Sequence, residues 1–286
     1  MARIQEVSVR INSLKELLEI VSAIRAIAAV QMQQAQRSLD AIRRYSEEVS
    51  GALAEAASLM GMSDVRVVPA ECARLGLVVV CSEHGFCGGF NDKLLDAAEQ
   101  AIAESGSDVR LVVVGNRGAQ RAAERGRRPD FTLQMATHSG GVTAVVHRVA
   151  REFYRMFCAG ELGRLEVVYS GYTDGRQTGV ERSLLLPLDP LVLERNLPSI
   201  PPLVNLDAGD LFEELAGEYF FAALEKAVME SFASENAARF RTMEAAHENI
   251  DKKFDELNRL ARRLRQEAVT TEILDLIGGA EAMRSR

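Results

Sequence analysis

The chain has 286 residues, a formal charge of −7 and 47% hydrophobic content, which suits one large domain or two ordinary ones of globular composition. The acidic balance argues against a general nucleic-acid binder. No apolar run approaches the ~18 residues of a membrane span, and the charged, alternating start "MARIQEVSVRI" is not a signal peptide.

All seven prolines (Pro69, Pro129, Pro187, Pro190, Pro198, Pro201, Pro202) lie in the middle of the chain. Both ends therefore lack the strongest helix breaker, which predicts two long terminal helices around a globular insert. In the first 62 residues, apolar side chains recur at Ile4, Val7, Ile11, Leu14, Leu18, Val21, Ala28, Met32, Ala35, Leu39, Ile42, Val49, Leu53, Ala56 and Met60. Alternating steps of three and four make a heptad seam that needs a partner helix. It breaks at Arg25 and Ser46. At 1.5 Å per residue such a helix is roughly 85 Å long, too long for a compact domain to bury.

The middle, residues 70–205, reads as an α/β domain. Short aliphatic runs at 75–81 and 108–115 predict buried strands, with further strands at 165–170 and 180–186. Helical periods occupy 91–105, 116–125 and 142–158. This alternation predicts an open, mainly parallel, Rossmann-like sheet. From 208 to 279 the pattern is helical again. Phe240, Met243, His247, Ile250, Phe254, Leu257, Ala261 and Leu264 repeat the three-four steps, and Gly278–Gly279 is the expected stop. The two terminal helices should pair antiparallel as a coiled coil.

Four cysteines, Cys72, Cys81, Cys87 and Cys158, show no CxxC spacing. Neither a disulfide framework nor a zinc site is expected, and a reducing interior fits. The stretch "SEHGFCGGFN" (82–91) follows the first strand. His84 and Cys87 there suggest a base and a thiol nucleophile, which needs a lowered thiol pKa and an orienting third group. The alternative is a turn in which Gly85, Gly88 and Gly89 shape the chain and Cys87 is a small buried residue. Neither "GFCGGFN" nor "VGNRG" (114–118) completes a phosphate-loop pattern. Arg117, Arg121, Arg125, Arg127 and Arg128 cluster without interleaved aromatics, as a solvated helix face does. Residues 239–265 carry eight Lys or Arg against five Asp or Glu. That is either ordinary coiled-coil surface or a rod facing an acidic partner.

Together, "HGFCGGFN", "LLLPLDP", "ASENAARFRTMEAAHEN" and "RLRQEAVTTEILDLIGGAEAM" resemble the gamma subunits of F-type ATP synthases over essentially the whole chain. The resemblance implies a non-catalytic rotary shaft without cofactor or metal. It implies a coiled coil inside a hexamer of alpha and beta subunits, an α/β domain on the membrane c ring, and an epsilon subunit alongside. Such a subunit is peripheral, at the cytoplasmic face of a bacterial plasma membrane, and meets the membrane only through the complex. By the same resemblance Arg239, Gln266, Thr270 and Glu272 match residues that grip the beta subunits, and "FCGG" is a structural turn. The chain departs from the family where "EIVSAIRAIAAVQM" (19–32) replaces a segment like "KITKAMEMVAASKM". Glu19 and Ser22 stand for two lysines there, and Ile24 for a methionine. Arg25, which interrupts the seam, is expected to take over part of the lysines' contact with beta. "PLVNLDAGD" replaces a "YEPDP"-like foot, and these departures suggest an alternative-type branch. Two other classes compete: a cytosolic α/β enzyme using Cys87, and an unrelated coiled-coil adaptor.

Overall fold

A computed structural model describes residues 2–60, 74–106, 108–173, 176–189, 192 and 204–284. Cys72, Pro190 and the first two residues of the 202–210 foot lie outside them. Helix α1 (Ala2–Met60) leads to a body of β1 (Leu75–Val80), α2 (Phe90–Ser105), β2 (Val109–Val114), α3 (Asn116–Glu124), β3 (Phe131–Leu133), α4 (Val142–Cys158), β4 (Arg164–Thr173) and β5 (Arg176–Leu186), and α5 (Ala208–Arg284) closes the chain. The five strands form one sheet in the order β3-β2-β1-β4-β5. All pairings are parallel except β4–β5, an antiparallel hairpin at the edge.

The chain divides into two compact units, Met1–Ile27 with Phe240–Arg286, and Ala28–Arg239. In the first unit α1 and α5 pair antiparallel. Val21 packs with Met243 and Ile250, supported by Leu14, Leu18, Ile24 and Ala246, while the earlier Ser8 and Ile11 line one cleft with the later Asn258 and Ala261. Ile11, Leu14, Leu18, Val21, Met243, Ile250 and Ala261 are seam positions, so there the heptad pattern and the packing coincide. Arg25 sits in this seam because it has a partner, with Nη1 3.0 Å from Glu244 Oε2.

In the second unit the sheet is covered on both faces, which is why β1 is buried at every position. Leu77 and Val79 point to one side with Leu94, Leu95 and Ala122 of α2 and α3. Val78 and Val80 point to the other, into a core shared with Phe153 of α4, Leu39 of α1, and Phe220, Leu224 and Val228 of α5. The terminal helices pair antiparallel here too, since Leu53 and Ala57 pack with Phe212, Leu215 and Tyr219. Residues 28–60 and 208–239 thus fall in one unit with the sheet, part of them in the core shared with α4 and part in a smaller cluster between the two helices.

Two expectations change. Strand β3 was not foreseen; it has three residues, none of them buried, so it carries no burial signal. Helix α5 continues past Gly278 and Gly279 to Arg284. Glycine ends a helix when the chain turns left-handed there. Here "AEAM" follows, good helix formers that carry the helix through at a cost of about 1 kcal/mol per glycine.

Candidate functional site

The carboxyl ends of β1 and β4 mark the place where open α/β sheets receive ligands. The chain leaves β1 toward β2 and β3 on one side and returns to β4 on the other, which makes a topological switch point. Helix α5 occupies that place. Ser231 Oγ donates to the Val80 carbonyl at 2.8 Å and accepts from the Ser170 amide at 3.3 Å. One turn on, Ser234 Oγ donates to the Gly171 carbonyl at 2.6 Å. Both serines are buried, so their bonds satisfy strand-end groups that water cannot reach. The same stretch is tied to α1, where Arg43 Nη2 lies 3.0 Å from Glu230 Oε1 and also donates to the Tyr172 carbonyl.

The glycine turn, residues 82–89, lies beside this helix. Cys87 is 4% exposed, with Sγ 3.5 Å from Ser82 Oγ. Asn91 staples the turn: its Oδ1 accepts from the Ser82 amide at 3.0 Å, and its Nδ2 donates to Ser82 Oγ at 2.8 Å. Burial pushes the Cys87 thiol up from its ordinary value, against a smaller lowering by Ser82. A nucleophile needs the opposite shift. The His84 imidazole is no base for it, because His84 is exposed and only its backbone carbonyl lies near the sulfur, at 4.0 Å. Gly88 has φ of +59°, a conformation that suits glycine. Gly85 has open space where a side chain would sit, and so has Gly89, which precedes α2.

The glycines of "VGNRG" have a packing reason. A Cβ on Gly118 would lie 2.0 Å from the Cys81 Cβ, so only glycine lets α3 approach the end of β1. Glu83 receives the backbone that follows, accepting from the Asn116 and Met135 amides at 3.1 and 2.9 Å. Two of the clustered arginines are engaged within the fold. Arg121 lies 2.8 Å from Asp92, and Arg125 lies 2.6 Å from both Asp92 and Asp96. They join α3 to α2. Among the described residues no group of three His, Cys, Asp or Glu side chains is placed to hold a metal.

The residues expected at the beta interface fall into two groups. Arg239 is 12% exposed at its side chain and turns inward. Its Nη2 lies 2.5 Å from Glu235 Oε1, its Nε and Nη2 donate to the Gly85 and His84 carbonyls at 3.3 Å, and Nη1 donates to Asn236 Oδ1 at 3.2 Å. Gln266, Thr270 and Glu272 are exposed on α5, where Thr270 Oγ1 donates to the Gln266 carbonyl at 2.8 Å. Beside them Val269, Ile273, Leu274 and Ile277 are 51–62% exposed. On the outer side of α1, Val9, Ile20 and Ile27 are 57–61% exposed. The sequence reading missed Glu235, which has no motif of its own; its i,i+4 spacing to Arg239 was the available signal.

A family model described as ATP synthase matches residues 3–283. The chain belongs to the ATP synthase family. Its relatives in that family include the ATP synthase gamma chains of Desulfitobacterium hafniense and Cytophaga hutchinsonii. The first is 26% identical over 99% of this chain and 100% of its own. The second is 28% identical over 100% of both. Solved ATP synthases have the same fold. A chain of the Euglena gracilis mitochondrial enzyme (OSCP/F1/c-ring, rotational state 3) superposes with a TM-score of 0.66 at 16% identity, over 99% of this chain and 95% of that one. A chain of the Tetrahymena thermophila central stalk and c ring gives 0.59 at 19% identity, over 79% and 99%.

Proposed function

We infer that the chain is the central-stalk shaft subunit of an F-type ATP synthase. It couples ion flow through the membrane c ring to ATP synthesis or hydrolysis at beta-subunit sites, and it has no catalytic site of its own. The observation that carries this is α5. The same helix that pairs with α1 through a heptad seam is hydrogen-bonded to the ends of β1 and β4. A shaft must be joined in this way to the body that turns it.

The partners follow from the same reading: alpha and beta subunits around the coiled coil, and epsilon and the c ring at the α/β body. Arg25, Arg239, Gln266, Thr270 and Glu272 are the contacts proposed for beta. Exposed apolar side chains beside the last three support a covering partner, because such patches are seldom left to water. Arg25 supports it less directly, with a side chain 31% exposed while paired to Glu244. No helix among the described residues is long and apolar enough to cross a membrane. The shaft role implies a peripheral place at the cytoplasmic face of a bacterial plasma membrane. The Cys87 enzyme is set aside, since that thiol is buried and its pKa is raised.

The test is reconstitution with the chain's own alpha and beta subunits. ATP hydrolysis by the assembly should require this chain, and ion pumping should appear when the c ring is added. An alpha–beta assembly that neither retains the chain nor changes its activity overturns the assignment.

A further inference from the structure

Glu235 is a buried carboxylate on α5, 3% exposed, that the shaft reading does not use. The groups facing it are Arg239 on its own helix, Cys81 at the end of β1, and Glu83 and Cys87 in the glycine turn. Its closest polar contact is Nη2 of the Arg239 guanidinium, which also donates to the His84 carbonyl, while Nε donates to the Gly85 carbonyl. The next residue is Phe86. It is the one non-glycine with positive φ among the described residues, at +63°, and it is 66% exposed. An aromatic residue there is strained by about 1–3 kcal/mol and persists only when its flanks are held. On one flank Arg239 grips the two preceding carbonyls. On the other, Cys87 is buried.

We propose that Glu235 is a positioning residue whose charge state, acting through Arg239, sets how firmly the glycine turn holds Phe86 in its exposed, left-handed conformation. When Glu235 is ionised, the guanidinium has a charge-assisted bond in a low-dielectric site and stays against the turn. When Glu235 is neutral that bond weakens. The guanidinium, on a side chain already 12% exposed, then gains more from water than from two carbonyls, and the turn loosens. Burial pushes the Glu235 carboxyl up to about 7, with Arg239 opposing the shift and Glu83 adding to it. The change of state therefore falls near neutral pH. The proposal needs no partner subunit, so it stands or falls apart from the assignment of the shaft.

The chain contains no tryptophan, so Phe86→Trp places a single fluorophore at the strained position of the full chain. Its emission maximum and accessibility to a soluble quencher should follow one transition centred near pH 7. Glu235→Gln in the same background should flatten that transition, and His84→Gln, which removes the imidazole of the same turn, should leave it in place. A transition that survives Glu235→Gln, disappears with His84→Gln, or is absent between about pH 5.5 and 8.5 overturns the proposal. Because tryptophan can itself disturb the turn, hydrogen exchange of amides 84–89 in the unsubstituted chain gives a second readout. With the intrinsic pH dependence divided out, protection should be about tenfold higher above the transition than below it, and independent of pH in Glu235→Gln. Equal protection on both sides refutes the mechanism.

Discussion

Replacing Arg43 by methionine should destabilise the second unit by about 4 kcal/mol. The Glu230 side chain is 5% exposed and that of Arg43 27%. Two guanidinium nitrogens approach Glu230 Oε1, Nη2 at 3.0 Å and Nε at 3.3 Å. Removing the cation leaves a carboxylate buried without compensation, which typically costs about 3–5 kcal/mol. The partial exposure of Arg43 lets water reach the vacated side, which favours the low end of that range. Loss of the bond to the Tyr172 carbonyl adds about 1 kcal/mol. Removing both charges, with Arg43→Met and Glu230→Met, should return stability to within about 1 kcal/mol of the parent, because an apolar pair needs no charge compensation. Urea unfolding followed by tyrosine emission suits the measurement. All five tyrosines (Tyr45, Tyr154, Tyr169, Tyr172, Tyr219) lie in the second unit, so the signal ignores the other one. A loss below about 1 kcal/mol in the single variant, or an equal loss in the double variant, refutes the reasoning.

Glu235→Gln should show a pH-dependent gain in stability over the parent. The folded carboxyl is raised to about 7 from an ordinary 4.5, so the parent's advantage from a neutral Glu235 is complete below 4.5 and lost as pH rises through 7. The amide stays neutral, and its relative stability should climb across that window by about 3 kcal/mol at most, read from urea midpoints at each pH. Ionised Glu235 then grips Arg239 locally while costing global stability. Cys87→Ala and His84→Ala should leave ATP turnover by the assembled complex nearly intact, with about 1 kcal/mol lost in the cysteine variant; a thousandfold loss with assembly unaffected would restore the nucleophile. A hybrid of this chain with standard beta subunits should assemble yet pump few ions per ATP. Glu19→Lys with Ser22→Lys should improve the hybrid but not the native complex. A hybrid that already pumps like the native assembly refutes a role for the altered charges.

Much of the fold was legible because burial and periodicity coincide. The positions of the α1 seam that the structure places inside, such as Val7, Val21, Ala28, Ala35, Leu39 and Leu53, are those the three-four spacing selects. The aliphatic runs became β1 and β2 because both sheet faces are covered. What the sequence left hidden was relational. Arg25 read as an interruption until Glu244, more than two hundred residues away, came into contact with it. Arg239 matched a partner-facing residue by motif, yet its guanidinium points to its own glycine turn. The Gly118 requirement arises from the Cys81 side chain, which no local pattern announces. The division of the chain at residues 27 and 239 left only a partial signal, since "EYFFAALEKAVMESF" (218–232) is apolar on several sides, as a helix buried under the central domain is, but marks no boundary.

The serines of α5 work like a key in a keyway. Sliding α5 along its axis by one turn, about 5.4 Å, would break the bonds of Ser231 to Val80 and Ser170 and that of Ser234 to Gly171. It would also pull Leu224, Val228 and Phe232 out of the core they share with the sheet. Rotating it about its axis would turn the same serines away from the strand ends. Neither motion can proceed by small steps, because every intermediate leaves buried polar groups unpaired. A twist applied to the sheet is therefore delivered to residues 231–239 without slip, and elastic give in this machine has to come from elsewhere than the joint between helix and sheet.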